Sequence, residues 1–156
     1  MQYIFLWVYG TVFALWFLYL IMDEENKMIA IPIDNSSSTT ISDLYGNAKY
    51  FALLDPATKK ITVEENVGCG NGLDTAKFVK NLGVTSTIFF HMGEGVFNSL
   101  INDNIKVFSA LKKYLTIEQI GEKLLDNSLT LVTKDNSETL LDPGTTSCSC
   151  ECENRG

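Results

Sequence analysis

Residues 60–90, with the sequence KITVEENVGCGNGLDTAKFVKNLGVTSTIFF, decide the fold class of this chain. KITVEE and TSTIFF are short runs rich in β-branched and aromatic residues, which are typical of strands. Between them, apolar residues recur at helical spacing from Leu73 to Leu82, and Gly83 stands where a helix would end. A strand, a helix and a second strand in succession predict a crossover that covers one face of a sheet.

The sequence before this stretch predicts two more strands. MIAIPID at 28–34 is a buried first strand, in which Pro32 must lie near the strand end or at an irregular position because it cannot donate to a ladder. KYFALLD at 49–55 is the second, and with KITVEE it flanks the turn 56–59, where Pro56 presets the chain direction. These two runs therefore predict a β-hairpin.

The sequence after this stretch continues the alternation. A second helix is predicted around residues 96–101, followed by a fifth strand at 105–108. Thr116 begins a third helix, with Gln119 three residues later as in a capping box. Residues 128–133 can add a short edge strand, and the polar residues after Asp135 are expected to be mobile. The order βββαβαβα predicts a mixed α/β sheet whose parallel half is covered by helices.

The N-terminal 27 residues differ sharply in composition from the rest. Residues 3–22 contain no charge and are long enough for a helix to cross a hydrocarbon core. We therefore expect a single-pass transmembrane anchor with a short linker at 1–27, followed by the domain at 28–134. Lys27 and the closely spaced cysteines favour a cytoplasmic position of this domain. Two alternatives stay open: a cleaved signal peptide, and a soluble cytoplasmic protein that begins at Met28.

The charge balance excludes one class of partner. The chain has 12 Lys and Arg against 19 Asp and Glu, a net charge of −7, and its basic residues are not clustered beyond adjacent pairs. A nucleic-acid backbone requires clustered positive charge, so nucleic-acid binding is disfavoured.

Four stretches together carry a family resemblance: MIAIPID at 28–34, ISDLYGNAKYFALLD at 41–55, ENVGCGNGLDTAKFVKNLGV at 65–84 and HMGEGVFNSLINDNIKVF at 91–108. With them, roughly residues 28–127 resemble the dinitrogenase iron-molybdenum cofactor biosynthesis family, of the NifX and NifB C-terminal type. The resemblance implies a ribonuclease H-like sheet in the order 3-2-1-4-5 with strand 2 antiparallel. It also implies a non-catalytic domain that binds or carries iron-sulfur or iron-molybdenum cluster precursors. One departure is Leu44, which stands where the family often has a histidine.

The predicted sheet places candidate ligands at the carboxyl ends of its first and fourth strands, where open α/β sheets usually bind ligands. Asp34 and Asn35 follow the first strand, His91 and Gly93 follow the fourth, and Cys69 lies in the glycine loop after the third. Imidazole and thiolate suit an iron cluster, and a helix start after Gly93 favours an anion. The alternative is structural: Cys69 as a small apolar filler and His91 as a turn residue.

Cys148, Cys150 and Cys152 form a second candidate metal site. Three thiols within five residues can converge on a thiophilic ion such as Cu(I), Zn(II) or iron. Their spacing is not the Cys-x-x-Cys pair of a zinc ribbon, so it identifies no metal. The alternative is a flexible Cys-rich tail over residues 135–156 whose thiols are reactive but hold no fixed ligand.

These features predict a non-catalytic, membrane-anchored binding or carrier domain for a metal cluster. Its expected partners are the membrane and a protein that donates or accepts the cluster. An enzyme is disfavoured because Cys69 has only His91 as a potential base, and Asp34 has no second acid at a matching strand position. The competing hypothesis is a metal-free module of the same fold that binds a small anion or another protein.

Overall fold

The computed structural model describes residues 28–143, and within that range six strands form one mixed sheet in the order β3-β2-β1-β4-β5-β6. Strands β1, β4 and β5 pair in parallel, whereas the pairs β1–β2, β2–β3 and β5–β6 are antiparallel. The strands are β1 (Ile29–Ile33), β2 (Tyr50–Leu54), β3 (Ile61–Glu65), β4 (Ser86–Phe89), β5 (Lys106–Ser109) and β6 (Thr130–Leu131).

The helices of this region begin at recognisable caps. The Asn71 side chain accepts hydrogen bonds from the first turn of α1, and Thr116 and Gln119 form a complete capping box at α3. The predicted capping box is therefore confirmed. The helices are α1 (Gly72–Asn81), α2 (Glu94–Asn102), α3 (Ile117–Leu125) and α4 (Ser137–Leu140), with a 3₁₀ turn at Tyr45–Asn47.

Both faces of the central strand β1 are buried, which explains its almost uninterrupted apolar sequence. Ile29, Ile31 and Ile33 belong to the apolar cluster on the face that α3 covers. Ala30 belongs to the cluster on the opposite face, which α1 and α2 cover. The fold therefore consists of a sheet between two helical layers.

Pro32 lies in β1 at a position where its missing N–H is tolerated. The parallel pairing of β1 with β4 covers only Ile29 and Ala30, so Pro32 lies beyond that ladder. Its carbonyl accepts a hydrogen bond from the Ser42 N–H at 2.8 Å. The proline thus marks the point where the segment around Ser42 replaces β4 as the neighbour of β1.

The predicted ribonuclease H-like sheet of five strands, in the order 3-2-1-4-5, is wrong. The structure adds β6 beyond β5, where Leu131 and Thr130 pair with Phe108 and Ser109. This strand falls within residues 128–133, for which the sequence predicts a short edge strand. The Val132 N–H also donates to the Val107 carbonyl at 2.8 Å, so the chain after α3 returns along the sheet edge. The family resemblance ended near residue 127, before this strand.

The transmembrane helix included in the predicted fold falls on residues 3–22, which lie outside the part of the chain that the structure describes. Within residues 28–143 the longest helix, α1, has 10 residues, and no helix there is long and apolar enough to cross a bilayer. The architecture supported by the structure is therefore the mixed six-stranded α/β sheet alone.

The folded region extends past the domain boundary predicted at residue 134. Helix α4 follows β6, and Leu140 and Leu141 pack against the apolar cluster on the α1 and α2 side of the sheet. The remaining part of the predicted tail, which contains Cys148, Cys150 and Cys152, lies outside the described residues.

Candidate functional site

A cavity of about 910 Å³ opens at the carboxyl end of β4, and we call it the histidine groove. It is lined by residues 44–47, 70–72 and 91–96, together with Asp142 and Pro143. The walls are thus the 3₁₀ turn, the start of α1, the start of α2 and the segment after α4. Five of the lining residues are glycines, which leave much of the backbone exposed to a ligand: Gly46, Gly70, Gly72, Gly93 and Gly95.

Backbone hydrogen bonds fix the position of His91 in this groove. Its N–H donates to the Asp43 carbonyl at 3.0 Å, and its own carbonyl accepts from the Tyr45 N–H at 3.3 Å. These bonds make a short parallel bridge between His91 and Leu44. Since the backbone holds the residue, its imidazole is not required to maintain the local fold.

Asp142 orients the imidazole ring. The His91 Nδ1 atom lies 3.0 and 2.9 Å from the two carboxylate oxygens of Asp142. The same carboxylate accepts a hydrogen bond from the Met92 N–H at 3.0 Å and lies 3.5 Å from the Lys112 Nζ. In neutral histidine, a carboxylate that accepts Nδ1–H leaves the lone pair on Nε2, as in many metal-ligating histidines.

The sequence did not identify Asp142 as a site residue. It is separated from His91 by 51 positions, and it lies in a stretch that was expected to be polar and mobile. The available signal was the apolar pair Leu140-Leu141 immediately before it, because two adjacent leucines in a polar stretch favour docking onto a core. The backbone N–H of Asp142 also donates to the Met92 carbonyl at 2.9 Å, which completes this attachment.

The glycine loop before α1 forms the wall opposite His91. The Gly70 N–H donates to the Gly46 carbonyl at 2.9 Å, and Gly70 has a φ of 97°, which a residue with a side chain rarely adopts. A Cβ atom at Gly68 would lie only 2.4 Å from the backbone carbon of Asp74. The loop therefore needs glycine at both positions to pack this closely against the 3₁₀ turn and α1.

The first turn of α2 presents backbone N–H groups to the groove. Its N-cap is Gly93, which has no side chain to accept hydrogen bonds from that turn, and Glu94 and Gly95 line the cavity. Such N–H groups favour an anionic ligand, whereas the Glu94 and Asp142 carboxylates add negative charge nearby. The groove thus combines hydrogen-bond donors, an imidazole and carboxylates, a mixture better suited to a metal-containing group than to a simple anion.

Tyr45 borders the groove with its backbone, but its side chain points into the core. The hydroxyl lies 2.9 Å from the Thr87 Oγ1, and Thr87 donates in turn to the Ala30 carbonyl at 2.8 Å. Burial raises the pKa of Tyr45 well above its ordinary value. Its hydroxyl is therefore a structural hydrogen-bond donor that stays protonated at neutral pH.

Asp34 and Asn35 lie in a different cavity, of about 480 Å³, together with Ser37 and Tyr114. Ser42 donates its hydroxyl hydrogen bond to the Asp34 carboxylate at 2.6 Å. At the border of this cavity, a hydrogen bond to the Asp43 carboxylate raises the pKa of Tyr114.

The segment of residues 42–45 separates this cavity from the histidine groove. It bonds to β1 through the Ser42 N–H and the Pro32 carbonyl, and to the end of β4 through both backbone groups of His91. The structure therefore brings His91 and Gly93 together, as predicted for one crevice, and places Asp34 and Asn35 on the other side of a backbone wall.

Cys69 lies beside the histidine groove rather than among its lining residues. It is half-buried, and its Sγ donates to the Asn47 carbonyl at 3.4 Å. Among residues 28–143, no three His, Cys, Asp or Glu side chains converge in a way that could hold a metal ion. The described part of the chain can thus offer one imidazole, with a thiol nearby, but not a full set of protein ligands.

Comparison with known proteins gives a consistent family and fold. A family model for dinitrogenase iron-molybdenum cofactor matches residues 27–127. No curated protein sequence is similar enough to match the chain.

Solved structures share the fold at low sequence identity. The apo orange protein from Desulfovibrio gigas is 22% identical, with a TM-score of 0.61, over 69% of this chain and 93% of that one. A candidate NifB protein from Thermotoga is 22% identical, with a TM-score of 0.58, over 69% and 95%. A candidate dinitrogenase from Methanocaldococcus jannaschii is 15% identical, with a TM-score of 0.53, over 69% and 96%. At these identities the likeness shows the fold alone.

Proposed function

This chain belongs to the dinitrogenase iron-molybdenum cofactor family, and on that premise we propose that it is a non-catalytic carrier domain for an iron-sulfur or iron-molybdenum cluster precursor. The cluster is the cargo of the domain, and the histidine groove receives it. The observation that carries this proposal is the pairing of His91 with Asp142, at 2.9 and 3.0 Å, inside the histidine groove.

His91 supplies a ligand with suitable chemistry. Imidazole binds iron through a nitrogen lone pair, and the Asp142 carboxylate favours the tautomer in which Nε2 carries that pair. A carboxylate behind a ligating histidine also fixes the ring and increases its basicity. The groove volume of about 910 Å³ leaves space for a multi-atom group beside the ring.

The glycine-rich walls support the sulfide part of such a cargo. Iron-sulfur sulfides are anionic and accept hydrogen bonds from backbone N–H groups, which tune and stabilise the cluster. The first turn of α2 offers such donors, and a Cβ at Gly93 or Gly95 would meet no atom within 4 Å. The donor-bearing side of the groove is therefore open to a bulky ligand.

A small number of protein ligands suits a carrier, because the cargo must be released. With one imidazole from the described residues, the remaining iron positions need ligands from another source. A donor or acceptor protein could supply them, and so could Cys148, Cys150 and Cys152, which follow the groove residue Pro143 by five to nine positions in sequence. A thiophilic metal ion on these cysteines alone is the narrower alternative.

Metal analysis of the full-length chain tests the proposal. We expect protein prepared without oxygen, then incubated with ferrous iron and sulfide, to retain both and to show a visible absorption band. Colourless protein without retained iron or sulfide after this treatment would overturn the carrier proposal.

His91→Ala separates a groove-bound cluster from metal held elsewhere. We expect the substitution to remove most of the retained iron while leaving the fold intact, because the backbone of His91 makes its structural hydrogen bonds. Asp142→Asn should weaken iron binding by roughly 10- to 100-fold, the usual effect of losing a carboxylate behind a ligating histidine. Asp34→Asn is the matched control, since Asp34 lies in the other cavity and its loss should leave iron binding unchanged.

A variant with Cys148, Cys150 and Cys152 all changed to Ser tests the source of the remaining ligands. If this variant keeps no iron while His91→Ala keeps all of it, the cysteines alone bind metal and the groove proposal is wrong. If both variants lose iron, the two sites act together.

The second candidate function is a metal-free site for a small anion, favoured by the uncapped first turn of α2. Isothermal titration with inorganic phosphate distinguishes it from the carrier function. Phosphate binding by the wild-type chain, lost in His91→Ala, combined with no retention of iron, would favour this second function.

A further inference from the structure

The two edges of the sheet differ in their capacity to accept another strand. Strand β6 has only two residues, whereas β3 has five, and all five are exposed. Short edge strands resist pairing with another chain, while longer exposed ones invite it. Among residues 28–143, β3 is therefore the edge suited to extending the sheet.

The hydrogen-bonding groups of β3 alternate between the two sides of the strand. The Asp55 N–H donates to the Lys60 carbonyl at 3.0 Å, and the Asn66 N–H donates to the Lys49 carbonyl at 2.8 Å. In an antiparallel ladder, every second residue of a strand is hydrogen-bonded to the neighbouring strand. These two bonds therefore show that the even-numbered residues of β3 are the ones bonded to β2. The N–H and C=O groups of Ile61, Val63 and Glu65 consequently face away from the sheet.

Charges are separated along this edge. Lys59 and Lys60 immediately precede the strand, and Glu64 and Glu65 lie at its end. None of the four forms a salt bridge with another residue in the range 28–143. A strand that is positive at one end and negative at the other is complementary to an antiparallel copy of itself.

One antiparallel register satisfies the charges and the side-chain faces together. When Thr62 stands opposite Thr62 of a second copy, Lys60 stands opposite Glu64, and Lys59, in the turn just before the strand with a φ of 59°, comes to the same end of the edge as Glu65, twice each by symmetry. Ile61, 48% exposed, then stands opposite Val63, 38% exposed, on the face of the sheet that α3 covers. Since both residues have outward-facing backbone groups, each such pair is also hydrogen-bonded across the edge.

We propose that β3 is a homodimerisation edge, through which two copies of this chain join their sheets antiparallel with Thr62 at the two-fold axis. The arrangement satisfies the outward N–H and C=O groups, covers Ile61 and Val63 of both copies, and pairs four lysines with four glutamates. The residues of this edge are not among those that line the histidine groove, and the proposal does not depend on cluster binding.

Charge reversal with complementation tests this proposal on the full-length chain, in a reducing buffer with a mild non-ionic detergent. The variants Lys59→Glu/Lys60→Glu and Glu64→Lys/Glu65→Lys each place like charges opposite each other in a homodimer. We expect each variant alone to raise the dimer dissociation constant, measured by sedimentation equilibrium, by at least about tenfold. An equimolar mixture restores all the opposite-charge pairs, so it should form a heterodimer at least as stable as the wild-type dimer.

Val63→Pro provides an independent test of the strand pairing. The N–H of Val63 faces outward, so its loss leaves the ladder with β2 intact but removes two hydrogen bonds across the two-fold axis. Circular dichroism should show a wild-type fold, and sedimentation should show a monomer. Lys77→Glu/Lys80→Glu, on the exposed side of α1, is the control for a change of charge alone and should leave the dimer unchanged.

Three results would overturn the proposal. The first is a wild-type chain that stays monomeric at concentrations of hundreds of micromolar, as it would if another segment of the chain covers β3. The second is a dimer that both charge-reversal variants leave unaffected. The third is a failure of the mixed variants to associate although each remains folded.

Discussion

Gly68→Ala is the substitution whose effect on the histidine groove follows most directly from the structure. The new Cβ would lie 2.4 Å from the carbonyl carbon of Asp74, and 2.5 and 2.6 Å from the Thr75 nitrogen and the Asp74 oxygen. Carbon atoms normally pack at about 3.5 Å or more, so the loop and α1 must separate by roughly 1 Å. Because the opposing atoms are helix backbone and cannot rotate away, we expect a loss of about 3 kcal/mol of stability, the upper end of overpacking costs.

Equilibrium urea unfolding, followed by far-ultraviolet circular dichroism on the full-length chain, measures this loss. A thermal scan should show a decrease of about 10 °C in the melting temperature. Gly95→Ala is the matched control in the opposite wall, where a Cβ meets nothing within 4 Å, and it should stabilise α2 by about 0.5 kcal/mol. If Gly68→Ala and Gly95→Ala have equal stability, the close contact between the glycine loop and α1 is not present in the protein.

Three further substitutions give expected outcomes by urea unfolding. Tyr45→Phe should cost about 1 kcal/mol at pH 8. Because burial raises the pKa of Tyr45, the stabilisation by its hydroxyl is fully present below pH 10 and is lost as the pH rises further. Above pH 10, the free energy of unfolding of the wild type should therefore fall by about 1.4 kcal/mol per pH unit relative to that of Tyr45→Phe. A difference between the two proteins that stays constant with pH would contradict this. Thr116→Ala removes the capping box of α3 and should cost about 1 kcal/mol, and no loss would show that the cap is not formed. Asn66→Ala removes three buried hydrogen bonds and leaves the Gly68 N–H unsatisfied, so we expect a loss of about 3 kcal/mol, and a loss below about 1 kcal/mol would contradict the buried network.

The elements with strong local signals could be predicted from the sequence. Helix α1 has apolar residues at helical spacing from Leu73 to Leu82 and a glycine, Gly83, at its end, and both signals lie within a short stretch. Strand β6 has a weaker signal: the sequence allows a short edge strand at 128–133, but two residues are too few to show an alternation of apolar and polar side chains. Its place in the sheet depends on the backbone bond between Val132 and Val107, which no residue type specifies.

The candidate site was predictable only in part, for a related reason. The rule that ligands bind at strand ends points to the end of β4, where the structure places His91 and Gly93 beside one cavity. The contact of Asp142 with His91 spans 51 positions and has no periodicity that a sequence could show. The same rule groups Asp34 with His91, but it cannot anticipate a segment that crosses between the two strands.

The backbone wall at residues 42–45 allows the two cavities to change independently during evolution. Its hydrogen bonds to Pro32 and His91 use main-chain atoms, so they survive replacement of the side chains along it. Leu44 is 45% exposed and lines the histidine groove, where another residue could occupy its place without disturbing the wall. A histidine there would add a second imidazole to the groove and leave the neighbouring Asp34 cavity as it is. On the proposed carrier function, one substitution would thus change the number of protein ligands available to a cargo, and with it the ease of release.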